Sequence, residues 1–166
     1  MQSTYVTPLI KSVQNVFETM LHLHVQIGQP VPKHGGEPAF DVCGIIRMSG
    51  DVEGSIVLGF PAATAERIVA LFIGQDLQHA PDDLPDAIGE LVNMISGCAK
   101  ARFDGRKVSI TCPSVVIGRQ NVVYNPRDVV CIHIPCESDC GDFAVELTIA
   151  QTADDTAVAG AGAAQA

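Results

Sequence analysis

Apolar side chains recur at three- and four-residue steps in three stretches of the chain and crowd into short β-rich runs elsewhere. The first helical stretch extends from residue 3 to about residue 24, carried by Val6, Leu9, Ile10, Val13, Val16, Phe17, Met20 and Leu21. Thr7-Pro8 offers a start inside it, because proline suits a first helical turn. A short strand is predicted around residues 25–31, broken by Gly28, Pro30 and Pro32, and residues 34–38 form a Gly/Pro-rich loop. Two β-rich runs, 42–48 and 52–60, flank Ser49-Gly50-Asp51 and predict a hairpin. Pro61 opens a second helix to about Phe72, with Ala65, Ile68, Val69 and Phe72 on its apolar face and Gly74 as its stop.

After a connection over residues 75–81, Asp82 and Asp83 offer N-cap oxygens and Pro85 stands in a first helical turn. The third helix is predicted to run to about Phe103, before Gly105, with Leu84, Ile88, Leu91, Ile95 and Cys98 as one apolar stripe. Strand follows at 108–111 and 115–117, interrupted by Pro113. A polar connection through Asn125-Pro126 leads to strand at 129–134, and a turn at 138–142 leads to strand at 143–149. Strands outside βαβ spacing predict an α+β fold, a mainly antiparallel sheet with long helices packed on it. The order of elements suggests two related helix-plus-hairpin halves. Residues 1–151 form the expected domain. Residues 152–166 form an Ala/Gly-rich tail, expected to be disordered, with Val158 its only large apolar side chain.

Composition narrows the class. The 166 residues are 47% hydrophobic, 17% charged and 5% aromatic, ordinary values for a soluble globular domain that can bury a core without staples. No apolar run approaches the roughly 18 residues a membrane helix needs. The first residues carry neither a basic nor an apolar signal region, which favours the cytoplasm. With 10 Lys+Arg against 19 Asp+Glu, the formal net charge of −9 disfavours nucleic acid, whose binding rests on clustered basic residues. Cys43, Cys98, Cys112, Cys131, Cys136 and Cys140 form no C-x-x-C pair, and several fall in apolar runs where a reduced thiol acts as a small core residue. His133 and Cys131 alternate along one strand and point to one side, a packing pair rather than a metal site.

The candidate chemistry lies on the third helix. Glu90 and Asn93, three residues apart, are neighbours away from the apolar stripe, with Gly89 and Gly97 flanking them on roughly the same side. A polar pair on a helix is most often only a solvated face. Two interior glycines, each costing about 1 kcal/mol relative to alanine, instead suit a surface that something large approaches closely. A carboxylate can pair with a partner's lysine, and an amide both donates and accepts hydrogen bonds and can orient a water without being ionised. Asp86, one turn earlier, either extends this acidic patch or compensates the helix dipole. Neither a Gly-rich phosphate loop nor a Ser nucleophile elbow occurs.

The stretch Gly89-Glu-Leu-Val-Asn93-Met-Ile-Ser-Gly97-Cys-Ala-Lys100 resembles the active helix of the CheC/CheX family of chemotaxis phosphatases. Asn15-Val-Phe-Glu-Thr-Met20 and Gly50-Asp-Val-Glu-Gly-Ser-Ile-Val-Leu58 extend the likeness to about residues 5–149. A single Glu-x-x-Asn motif resembles the CheX type, since CheC-type members typically carry two. The resemblance implies a CheC-like fold and dephosphorylation of the phospho-aspartate on a CheY-type response regulator. Glu90 would dock to the regulator's active-site lysine and Asn93 would position the attacking water. Asp86, Gly89 and Gly97 would belong to the docking surface. It further implies no cofactor of the chain's own, Mg²⁺ on the partner regulator, and a homodimer joined through sheet edges. The other reading is a non-catalytic module that binds a response regulator or a flagellar-switch component.

Overall fold

A computed structural model describes residues 2–34, 40–74, 80–118 and 129–150. Helix α1 (Gln2–Leu21) leads into two short strands, β1 (Gln26–Ile27) and β2 (Val31–Lys33), and then into the hairpin of β3 (Val42–Gly50) and β4 (Gly54–Phe60). Helices α2 (Ala62–Ile73) and α3 (Ala80–Lys100) follow. The chain then repeats the scheme with β5 (Val108–Ile110), β6 (Ser114–Ile117) and the hairpin of β7 (Val129–Ser138) and β8 (Gly141–Ala150). Among the described residues these strands make one 8-stranded antiparallel sheet in the order β1-β7-β8-β4-β3-β5, with β2 also on β7 and β6 also on β3. The α+β architecture with an antiparallel sheet agrees with the sequence pattern.

The halves are interleaved. The short strands β1 and β2 of the first half pair with β7 of the second, while β5 and β6 of the second pair with β3 of the first. Strands β4 and β8, one from each hairpin, join the halves at the centre of the sheet. One sheet face carries the helices. Ile46, Ile56, Leu58, Ile134, Val145 and Leu147 share a single core with residues of all three helices. Phe143 of β8 stacks on Phe17 of α1 with ring centroids 4.9 Å apart and meets Phe60 of β4 at 5.3 Å. Each such side chain, fully buried, contributes about 1.5–3 kcal/mol.

Several boundaries differ from the sequence pattern, each for a local reason. Helix α1 starts at Gln2, six residues before Pro8, and α3 starts at Ala80, so Pro85 lies beyond the first turn. A proline near a helix start forfeits only one backbone bond, and each helix continues through its own. At the other end His22 adopts a left-handed φ of 50° and stops α1 at Leu21. Helix α3 stops at Lys100 and the chain turns through Gly105, also left-handed at φ 70°. Strand β7 runs on through Pro135 to Ser138. The Pro135 carbonyl accepts from Gly28 N–H at 2.8 Å, so the missing proline donor faces the gap between β1 and β2, where no ladder bond is lost. The predicted turn at Asn125-Pro126 and the tail 152–166 lie outside the described residues.

The far face of the sheet holds a different cluster. Glu146, 4% exposed, points away from the helices, and its Oε1 accepts from Lys33 Nζ at 2.7 Å and lies 3.0 Å from His133 Nδ1. The Phe40 ring lies parallel to the His133 ring at 6.4 Å. His133 is therefore a packed and paired residue. Cys43, Cys131, Cys136 and Cys140 are buried, as core residues. Burial pushes the Cys43 thiol up to about 11 and the Cys136 thiol up to about 12, so both stay protonated and unreactive at neutral pH.

Candidate functional site

Helix α3 owes its orientation to one apolar side. Leu84, Ala87, Ile88, Leu91, Val92, Ile95 and Ala99 are all buried, whereas the predicted stripe member Cys98 is half-buried beside α1. There Asn15 Nδ2 donates weakly to Cys98 Sγ at 3.9 Å. The stripe opposite the core reads Asp86, Glu90, Asn93 and Gly97, at steps of four, three and four residues. Asp86, Glu90 and Asn93 are exposed. Among the described residues neither Glu90 nor Asn93 has a side-chain hydrogen-bond or ion-pair partner. The carboxylate and the amide are both available to an incoming molecule.

The two glycines do different things. A Cβ at Gly97 would meet nothing within 4 Å, and the position is partly exposed beside Asn93, so here the open surface expected from the sequence is present. Gly89 is not part of that surface. It is buried at the flank of α3, where a Cβ would lie 3.5 Å from Pro113 Cγ and from Val115 Cγ2 of β6. The expectation that Gly89 clears space for a partner is therefore corrected: it faces the protein's own β6. Adjacent helical residues are about 100° apart, so Gly89, next to Glu90, is turned from solvent to strand.

Charge along α3 is graded. Asp82, Asp83, Asp86 and Glu90 occupy its first half as exposed carboxylates, and Lys100 stands in the last turn. This matches the helix dipole at both ends and makes the exposed face acidic on approach to Asn93. Among the described residues no group of three or more His, Cys, Asp or Glu is arranged to hold a metal ion. The site offers hydrogen bonding and charge pairing.

Sequence reading missed Gly44 of β3, which lies directly beneath this turn of α3: a Cβ there would be 3.0 Å from Val92 Cγ1. Helical periodicity describes one helix and carries no information about which strand passes under it, so no local signal could have found the contact. Asn15, beside Cys98, belongs to a stretch that the family resemblance had already singled out.

The family described as Chemotaxis phosphatase CheX matches this chain across residues 42–137, which includes all of β3, β4, α2 and α3. The chain belongs to the CheX family. The CheY-P phosphatase CheX of Thermotoga maritima is 32% identical over 152 residues, covering 90% of this chain and 97% of that protein. The crystal structure of a chemotaxis protein CheX from Desulfovibrio desulfuricans superposes with a TM-score of 0.80 at 31% identity, over 87% of this chain and 98% of its own. A CheX–CheY–BeF3–Mg²⁺ complex from Borrelia burgdorferi matches with a TM-score of 0.75 at 21% identity, over 89% of this chain and 98% of that one, a likeness of fold. No helix among the described residues is long and apolar enough to cross a membrane.

Proposed function

We propose that the chain dephosphorylates the phospho-aspartate of a CheY-type response regulator and that the exposed face of α3 does the work. The observation that carries this reading is the pair Glu90 and Asn93, exposed and without partners among the described residues, on the buried-backed helix of a CheX-family chain. In this account the Glu90 carboxylate pairs with the regulator's active-site lysine and fixes the register of docking. The Asn93 amide reaches the acylphosphate and holds a water in line with the scissile bond. The water oxygen bonds to phosphorus while the bond from phosphorus to the aspartyl oxygen breaks. The electron pair returns to the regulator's carboxylate, and the water's proton leaves with inorganic phosphate and solvent. Mg²⁺ held by the regulator neutralises the developing charge, so the catalytic contribution of α3 is orientation.

Asp86 and Gly97 complete the docking surface, Asp86 as an added negative charge and Gly97 as an open position beside the amide. The same reading includes residence in the cytoplasm and a homodimer joined through sheet edges, one active α3 per copy. Val31 in β2 and Ile117 in β6, 43% and 58% exposed, place apolar area on outer strands at both ends of the sheet, which supports that mode of pairing. Sedimentation should give a species of twice the 17.5 kDa chain mass. The activity itself is tested by adding substoichiometric protein to a phosphorylated regulator. Accelerated phosphate release, with each chain serving many regulators, is expected; binding without acceleration identifies a non-catalytic module instead.

A further inference from the structure

We infer that Gly44 is a positioning residue: by lacking a side chain, it seats the turn of α3 that carries Glu90 and Asn93 at the depth the chemistry needs. The inference rests on the proposed role of Asn93 and adds what holds that amide in place. Gly44 is buried in β3, paired with Leu58 of β4 on one side and Val115 of β6 on the other. Its φ is not in the left-handed region, so no turn geometry calls for glycine there. Glycine in a strand interior weakens the strand and marks a close approach. Here the approaching groups belong to α3. A Cβ on Gly44 would lie 3.0 Å from Val92 Cγ1, 3.1 Å from Ile88 Cγ2 and 3.2 Å from Val92 Cβ.

Ile88 and Val92 bracket Glu90, and Val92 immediately precedes Asn93. Both are 0% exposed and belong to the single core, so neither can yield without moving its neighbours. From the flank, Val115, the residue paired with Gly44, and Pro113 stand 3.5 Å from the position of a Gly89 Cβ. The turn is thus held from beneath and from one side. One turn later the surface opens at Gly97. A methyl at position 44 would displace this turn outward by a few tenths of an ångström, and Glu90 and Asn93 would move with it. Docking through the long, rotatable Glu90 side chain absorbs such a shift. In-line orientation of a water by the short Asn93 amide does not.

The test compares Gly44→Ala, Val92→Ala, the double variant and Asn93→Ala in dephosphorylation of a phosphorylated CheY-type regulator at saturating and limiting concentrations. Gly44→Ala is expected to lower kcat about tenfold with KM within about twofold, since small misplacements of reacting groups are costly. Val92→Ala removes the methyl nearest to the new Cβ, so the double variant should recover kcat above the product of the two single effects. Wild-type kcat in Gly44→Ala, a fall that tracks only the folded fraction, or a change confined to KM overturns the inference. If Gly44→Ala does not fold, the double variant against Val92→Ala alone decides: a higher kcat in the double supports the seat, and an equal or lower one overturns it. Asn93→Ala separates the two levels. Full activity there removes the mechanism itself, whereas its loss beside an unaffected Gly44→Ala removes only the seat.

Discussion

In the proposed mechanism an amide and a carboxylate three residues apart divide one task, and their loss should be distinguishable. Glu90 is exposed, and in the proposed mechanism it holds the partner, so Glu90→Ala should raise KM for the phosphorylated regulator roughly tenfold while kcat stays within about threefold. Steady-state dephosphorylation over a range of regulator concentrations measures both; a normal KM would count against the docking role. At this scale the sequence was informative about identity and weak about environment. Glu90 and Asn93 could be picked out from spacing and family likeness. That neither has a described partner became visible only with the fold. Gly89 could not be told from Gly97 by composition, since the difference between them is a contact with Pro113 and Val115, more than twenty residues away in the chain.

Helix α3 as an element makes that distinction testable. Valine at Gly97 points into open space and does not lower helix propensity, so Gly97→Val should leave the melting temperature near wild type and weaken regulator binding roughly tenfold, about 1.4 kcal/mol. Valine at Gly89 adds methyls beyond a Cβ already in van der Waals contact with Pro113 and Val115. Gly89→Val should therefore destabilise the fold by about 1–3 kcal/mol, read from denaturant unfolding. The opposite pattern, a stability loss at 97 and a binding loss at 89, would reverse the assignment of the two faces. The period-3.6 pattern was enough to find this helix because Leu84, Ile88, Leu91 and Ile95 all point into one core. Its start was not legible, because a proline in an early turn is compatible with a helix that begins several residues before it.

For the whole molecule, the hairpins were readable and the pairing between them was not. Alternation along residues 42–60 and 129–149 reports a strand's two faces, but the exchange of β1 and β2 for β5 and β6 between halves depends on contacts remote in sequence. The far face shows the same limit: Glu146 sits among apolar neighbours in sequence and is paired with Lys33 and His133 from two other strands. Glu146→Ala should cost about 2 kcal/mol, less than a fully buried pair, because the Lys33 and His133 side chains are 18% and 29% exposed and can turn to water. Thermal unfolding reads that cost, and dephosphorylation by the folded variant should be unchanged, since the cluster lies on the sheet face away from α3. The most direct test of the central claim lies on that helix. Stimulated dephosphorylation of a CheY-type regulator should fall on the order of 10²-fold in Asn93→Ala with the fold intact, the effect of removing one preorganised polar group from a transition state. A folded Asn93→Ala protein that releases phosphate at the wild-type rate would contradict the account.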